Sequence, residues 1–107
     1  MTLRDAPGTV DELLAVVERA TERLDADACG QAARARHVLR TQGYEELVHM
    51  LGRDLPPAVV GARHWKAFRG PALAAVRSAH DRAGTEGVAF VLGWMHRMRR
   101  IKQARSR

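Results

Sequence analysis

The chain has 107 residues, of which 46% are hydrophobic and 28% are charged. This length suits a single domain, and the composition is typical of neither a disordered chain nor a membrane-spanning one. Residues 1–54 carry 7 basic and 10 acidic side chains, a net charge of −3, whereas residues 55–107 carry 11 basic and 2 acidic side chains, a net charge of +9. This division predicts that the basic half faces a polyanion.

Three features of the chain bear on its location. The longest apolar stretches are a few residues long, far below the roughly 18 residues that a transmembrane helix needs. The N-terminus lacks the basic segment and apolar run of a secretory signal. Cys29 is the only cysteine, so no disulfide can form within the chain. We therefore expect a cytoplasmic protein without a membrane partner.

Helix signals dominate the first half. After a flexible N-terminus over residues 1–8, the segment Thr9-Val-Asp-Glu12 has the pattern of a capping box and predicts a first helix over residues 10–24. Asp25 or Asp27 is expected to cap a second helix.

The second helix is expected to present a stripe of small side chains that lets a neighbouring helix approach closely. The stripe consists of Ala28, Ala32, Ala35 and Leu39. Gly43 is placed where this helix should stop or bend, and residues 44–51 resume a helical pattern that closes at Gly52.

Two prolines predict an internal loop over residues 53–57. A short helix is expected over residues 58–68, closed at Gly70, and the next helix is expected to run from Pro71 to Gly84.

Thr85 is expected to start the last helix, which carries an apolar stripe on one face. The members of the stripe are Val88, Val91, Leu92, Met95 and Met98. The whole pattern predicts an all-α fold, a compact bundle of about five helices in one domain over residues 1–107, with a basic tail over 103–107.

Basic side chains in two helical segments are the candidate binding residues. They are Arg63, Lys66, Arg69, Arg97, Arg99, Arg100, Lys102 and Arg105. Side chains spaced along a helix face in this way can follow a phosphate backbone, which favours nucleic acid as the ligand. The alternatives are a solvated helix end whose bases oppose the helix dipole, a membrane surface, or an acidic protein. Trp65 and Phe68 can stack on an unpaired base, but in a chain with 5% aromatic residues we prefer to place them in the core.

No pattern of catalytic or metal-ligating residues is found. The five histidines do not occur at i, i+3 or i, i+4 spacing, and Cys29 has no partner cysteine. No nucleophile elbow, P-loop or dinucleotide fingerprint occurs. We therefore expect no enzyme activity, no metal, no cofactor and no small-molecule substrate, and we interpret Cys29 as a small buried apolar residue.

Two segments resemble a known family. The apolar–glycine–apolar pattern of residues 35–51 (ARHVLRTQGYEELVHML) and the closing pattern of residues 86–98 (EGVAFVLGWMHRM) are similar to those of the small α-helical subunits of type III CRISPR effector complexes. The resemblance covers about a quarter to a third of the chain, and residues 53–70 lie outside it. It implies a non-catalytic subunit that acts in antiviral defence and stacks in several copies along the channel for guide RNA and target RNA. The implied partners are those RNAs, other subunits of the complex and further copies of the chain.

Two other functions remain open. The first is a small DNA-binding regulator of helix-turn-helix type, with the basic last helix in the major groove; the lack of Asn or Gln before Gln103 in the basic part of that helix disfavours adenine reading. The second is a helical adaptor for an acidic protein. The RNA-binding interpretation predicts backbone contacts with little dependence on base sequence.

Overall fold

Five α-helices and no strand make up residues 7–105, the part of the chain that this computed structural model describes. The helices are α1 (Pro7–Thr21), α2 (Ala26–Gly30), α3 (Ala32–Gln42), α4 (Tyr44–Leu51) and α5 (Ala62–Arg105). The predicted all-α fold is confirmed. Of the predicted flexible N-terminus, residues 1–6 lie outside the described part, whereas residues 7 and 8 are helical. Residues 103–105 of the predicted tail are also helical, and 106–107 lie outside the described part.

Helix α1 begins earlier than its sequence pattern predicts. It starts at Pro7, whose fixed φ suits the first position of a helix, so Thr9 lies inside the first turn and the predicted capping box is wrong. The helix ends at Thr21, three residues short of the predicted end, where the Leu24 N–H closes a turn on the Thr21 carbonyl at 3.1 Å.

Asp25, one of the two residues predicted to cap the second helix, caps α2. Its carboxylate accepts a hydrogen bond from the Ala28 N–H at 2.8 Å. Gln31 separates α2 from α3, so the predicted single helix is divided in two. The small side chains of Ala28, Ala32 and Ala35 are buried, which permits the expected close packing.

Gly43 ends α3 with a φ of 94°, a conformation that other residues rarely adopt, and the predicted stop is confirmed. The loop that follows α4 is longer than predicted and extends over residues 52–61. A helix cannot begin at Ala58 because Gly61 has a φ of 85°, outside the helical region. The Val60 carbonyl instead accepts a hydrogen bond from the Arg34 guanidinium at 2.7 Å.

Helix α5 runs through Gly70 and Pro71 without a break, so the two helices predicted there are one. Proline removes a backbone donor, but Trp65, Phe68 and Ala72 on either side of it are fully buried, and this packing holds the helix together. The predicted break at Gly84 is confirmed, because Ala83 (φ −148°) and Gly84 (φ 62°, ψ −154°) are non-helical. We call residues 62–82 the first arm and residues 85–105 the second arm.

The two arms of α5 cannot be collinear. A straight helix of 44 residues measures about 66 Å, whereas the longest dimension of the molecule is 42 Å. Helices α1 to α4 all pack against α5, and the buried side chains of all five helices form one cluster. The chosen interpretation of Trp65 and Phe68 as core residues is confirmed. None of the described helices is both long enough and apolar enough to cross a lipid bilayer.

Candidate nucleic-acid interface

Both predicted basic segments lie beside the junction of α2 and α3. On one side, the Arg99 side chain approaches Gly30 so closely that a Cβ atom there would lie 3.3 Å from the Arg99 Cδ. On the other side, the Gln31 amide lies against Gly61, next to the start of the first arm. The fold therefore brings the start and the end of α5 to the same short stretch of chain.

The end of the second arm carries a cleft of about 390 Å³ without a carboxylate in its lining. We call it the basic cleft, and its lining residues are His96, Arg97, Arg99, Arg100 and Gln103. All of these except Arg97 occur at i, i+3, i+4 and i+7, a spacing that places them on one side of the helix. The three arginines are exposed, and Arg105 is exposed about one turn further along. Like charges this close repel each other, so an anion in the cleft would relieve the repulsion.

Lys102 differs from the other predicted binding residues. Its ammonium donates hydrogen bonds to the Thr21 carbonyl at 2.6 Å and to the Leu24 carbonyl at 2.5 Å. The Thr21 carbonyl belongs to the last residue of α1, where the helix dipole is negative, and Leu24 lies three residues further along. Since the ammonium is used within the fold, we leave Lys102 out of the proposed interface.

The segment at the start of the first arm is less uniformly positive than its sequence indicates. Arg63 and Lys66 are exposed and line a second cleft of about 340 Å³, but Asp54 lines this cleft too. Arg69 is half-buried, and its Nε lies 2.6 Å from the Asp54 carboxylate. Arg69 is therefore paired within the chain, whereas Arg63 and Lys66 extend the basic surface.

One functional candidate that the sequence pattern did not single out is Trp94. The indole is only half-buried, and the Arg97 guanidinium lies over it, 4.8 Å from the ring centroid. Phe90, also half-buried, lies one turn earlier, with its ring centroid 6.4 Å from that of Trp94. An aromatic residue three positions before an arginine was the available signal, since this spacing places both on one helix face.

Among the described residues, no three His, Cys, Asp or Glu side chains come together as a metal site would require. Burial raises the pKa of the Cys29 thiol above its ordinary value, and the nearby Lys102 only partly offsets this effect. The thiol is therefore neutral at physiological pH and a poor nucleophile.

Comparison with known proteins found no family model, no curated protein and no solved structure that matches this chain.

Proposed function

We propose that this chain is a non-catalytic RNA-binding subunit that contacts the phosphates of its ligand through the basic cleft. The observation that carries the proposal is the lining of this cleft, which combines three exposed arginines with a histidine and a glutamine and contains no carboxylate. Guanidinium groups are suited to phosphate because they present several donors in a fixed plane. Arg63, Lys66 and Arg105 add charge on either side.

The assembly that we propose is a cytoplasmic effector ribonucleoprotein of the CRISPR type, in which several copies line a channel for guide RNA and target RNA. Its support is the resemblance of the two sequence segments together with the small size and helical fold of the chain. Exposed carboxylates on α1 provide a surface that can meet the basic surface of the next copy or of another subunit. They belong to Asp11 and Glu18, and the exposed Glu22 directly follows the helix.

The proposal is tested by replacing Arg99 and Arg100 together with Gln, which removes two charges from the basic cleft. Binding of a short poly(U) oligonucleotide is measured by fluorescence anisotropy. If each arginine neutralises one phosphate, the affinity at about 0.1 M salt should fall about 25-fold.

The matched control is the double variant Arg40→Gln with Arg77→Gln, which has the same net charge. Both side chains are exposed, and neither lines the basic cleft. An equal loss of affinity in the two double variants would show that binding depends on net charge alone and would contradict a localised site. Tighter binding of duplex DNA or of an acidic polypeptide than of RNA would favour the regulator or the adaptor instead.

A further inference from the structure

Phosphate contacts alone do not distinguish single strands from duplexes. The face of the second arm beside the basic cleft carries aromatic side chains, which can make that distinction. Phe90, Trp94 and Arg97 occur at i, i+4 and i+7 and therefore lie along one face of the helix. The buried stripe of the same arm, which includes Val91 and Met95, lies on a different face. The three residues thus form a strip at the surface of the bundle.

The other aromatic side chains of the protein have partners within the fold. Trp65 and Phe68 are fully buried, with ring centroids 5.6 Å apart, and the Trp65 indole N–H donates to the Arg53 carbonyl at 3.1 Å. Tyr44 is stacked on His80 at 3.9 Å between ring centroids, with the rings nearly parallel. The half-buried aromatic pair beside the basic cleft is therefore the pair placed to meet a ligand.

Arg97 connects this aromatic pair to the basic cleft. Its guanidinium lies over the Trp94 ring, and the residue also lines the cleft. A planar guanidinium supported by an indole is a platform on which a nucleobase can stack. Arginines of the cleft would hold the adjacent phosphates at the same time.

We propose that Trp94 and Arg97 form a stacking site for an unpaired nucleobase, so that the ligand of the basic cleft is single-stranded RNA. In a duplex the faces of the bases are already stacked on each other, and only the backbone is accessible to such a site. The site accepts any base, because every base has a π face. It deepens the proposed function and depends on it, since the phosphates that accompany the base bind the cleft.

Trp94 fluorescence provides a direct measurement. The other tryptophan, Trp65, is fully buried, so quenching by poly(U) reports on Trp94. Trp94→Leu keeps an apolar side chain against the core but removes the aromatic face. We expect this variant to retain its helical circular dichroism and to bind poly(U) about 5- to 150-fold more weakly, the range for the loss of one stacked base. Ile101→Ala, at another partly exposed apolar position of the second arm, is the control and should bind normally.

Arg97→Lys separates stacking from charge. Lysine keeps the positive charge but lacks the planar group, so binding of poly(U) should weaken more than binding of inorganic polyphosphate, which depends on the phosphate contacts alone. The stacking site is contradicted if Trp94→Leu binds poly(U) like the wild type, or if an RNA duplex of equal phosphate count binds as tightly as the single strand. Even then, loss of polyphosphate binding in the Arg99 and Arg100 double variant would support the proposed phosphate contacts. The stacking site can therefore fail without the phosphate site.

Discussion

At the scale of single residues, Lys102 joins the second arm of α5 to the chain where α1 ends. Its ammonium donates hydrogen bonds to the carbonyl of Thr21, which ends α1, and to that of Leu24 just beyond, 81 and 78 positions away in sequence. Sequence periodicity identifies Lys102 only as one more basic residue near the C-terminus. Its structural role depends on long-range contacts, which spacing along a helix does not reveal.

We therefore predict that Lys102→Met destabilises the fold. A hydrogen bond from a charged donor contributes about 1.5–3 kcal/mol to stability, and Lys102 is half-buried, so the free energy of unfolding should fall by about 1–3 kcal/mol. The control, Lys66→Met, changes an exposed side chain and should alter stability by less than about 0.5 kcal/mol. Urea denaturation measures both, and equal midpoints for the two variants would argue against this role.

The buried thiol of Cys29 makes the free energy of unfolding depend on pH in the alkaline range. Burial raises the pKa of its thiol above the ordinary value of 9.0, with Lys102 lowering it and Asp25 raising it to smaller extents. The folded state therefore keeps the proton when the unfolded state begins to lose it. This contribution to stability is fully present below the ordinary pKa and is lost as the pH rises above it.

We predict that, as the pH is raised from about 7 to about 10, the stability of Cys29→Ala falls less than the stability of the wild type. Burial also raises the pKa of the Tyr44 hydroxyl, but this effect is common to both proteins and cancels in the comparison. The measurement is the urea midpoint as a function of pH. Parallel curves for the two proteins would contradict a buried, neutral thiol.

At the scale of elements, the sharp reversal within α5 depends on close contact between its two arms. A Cβ atom at Gly87 would lie 2.8 Å from the Ala79 carbonyl oxygen and 2.8 Å from the Ala83 Cβ. The first turn of the second arm therefore packs on the last turns of the first arm with no room for a side chain. Gly84 provides the left-handed backbone conformation that the turn requires.

Gly87→Ala should destabilise the protein by about 1–3 kcal/mol, since the added methyl group collides with backbone. Gly93→Ala is the matched control in the same arm, where the nearest atom to a new Cβ is the Arg36 Cζ at 3.8 Å. This control should be stabilised by about 0.5–1 kcal/mol, because alanine favours helix over glycine. Thermal unfolding that shifts in the same direction for both variants would contradict the close contact.

Helix positions were predictable from sequence where local signals and packing agree. Gly43 and Gly84 end helices as expected, because both adopt backbone conformations that favour glycine. Pro71 misled the prediction, since proline suits the first position of a helix and is disfavoured inside one, yet the buried residues on both sides of it preserve a continuous helix here. Tertiary packing overrides local propensity at such a position.

The candidate site was predictable in its charge but not in its arrangement. The arginines of the second arm are evident from sequence because six of the last eleven residues are basic. Sequence does not show that Arg69 is paired with Asp54, or that Trp94 rather than Trp65 reaches the surface. These distinctions arise from the way α5 folds back on itself.

At the scale of the whole molecule, RNA binding by the basic half is the proposed reason for the charge division, and the salt dependence of that binding tests it most directly. Each phosphate neutralised on a single strand contributes about −0.7 to the slope of log K against log salt. If each neutralises one phosphate, the six exposed basic side chains near the two ends of α5 predict a wild-type slope of about −4 for poly(U). They are Arg63, Lys66, Arg97, Arg99, Arg100 and Arg105.

The Arg99→Gln and Arg100→Gln double variant should reduce the magnitude of this slope by about 1.4, whereas the Arg40 and Arg77 control should keep the wild-type slope. A wild-type slope near zero, or the same slope in the cleft variant and the wild type, would contradict phosphate binding in the basic cleft.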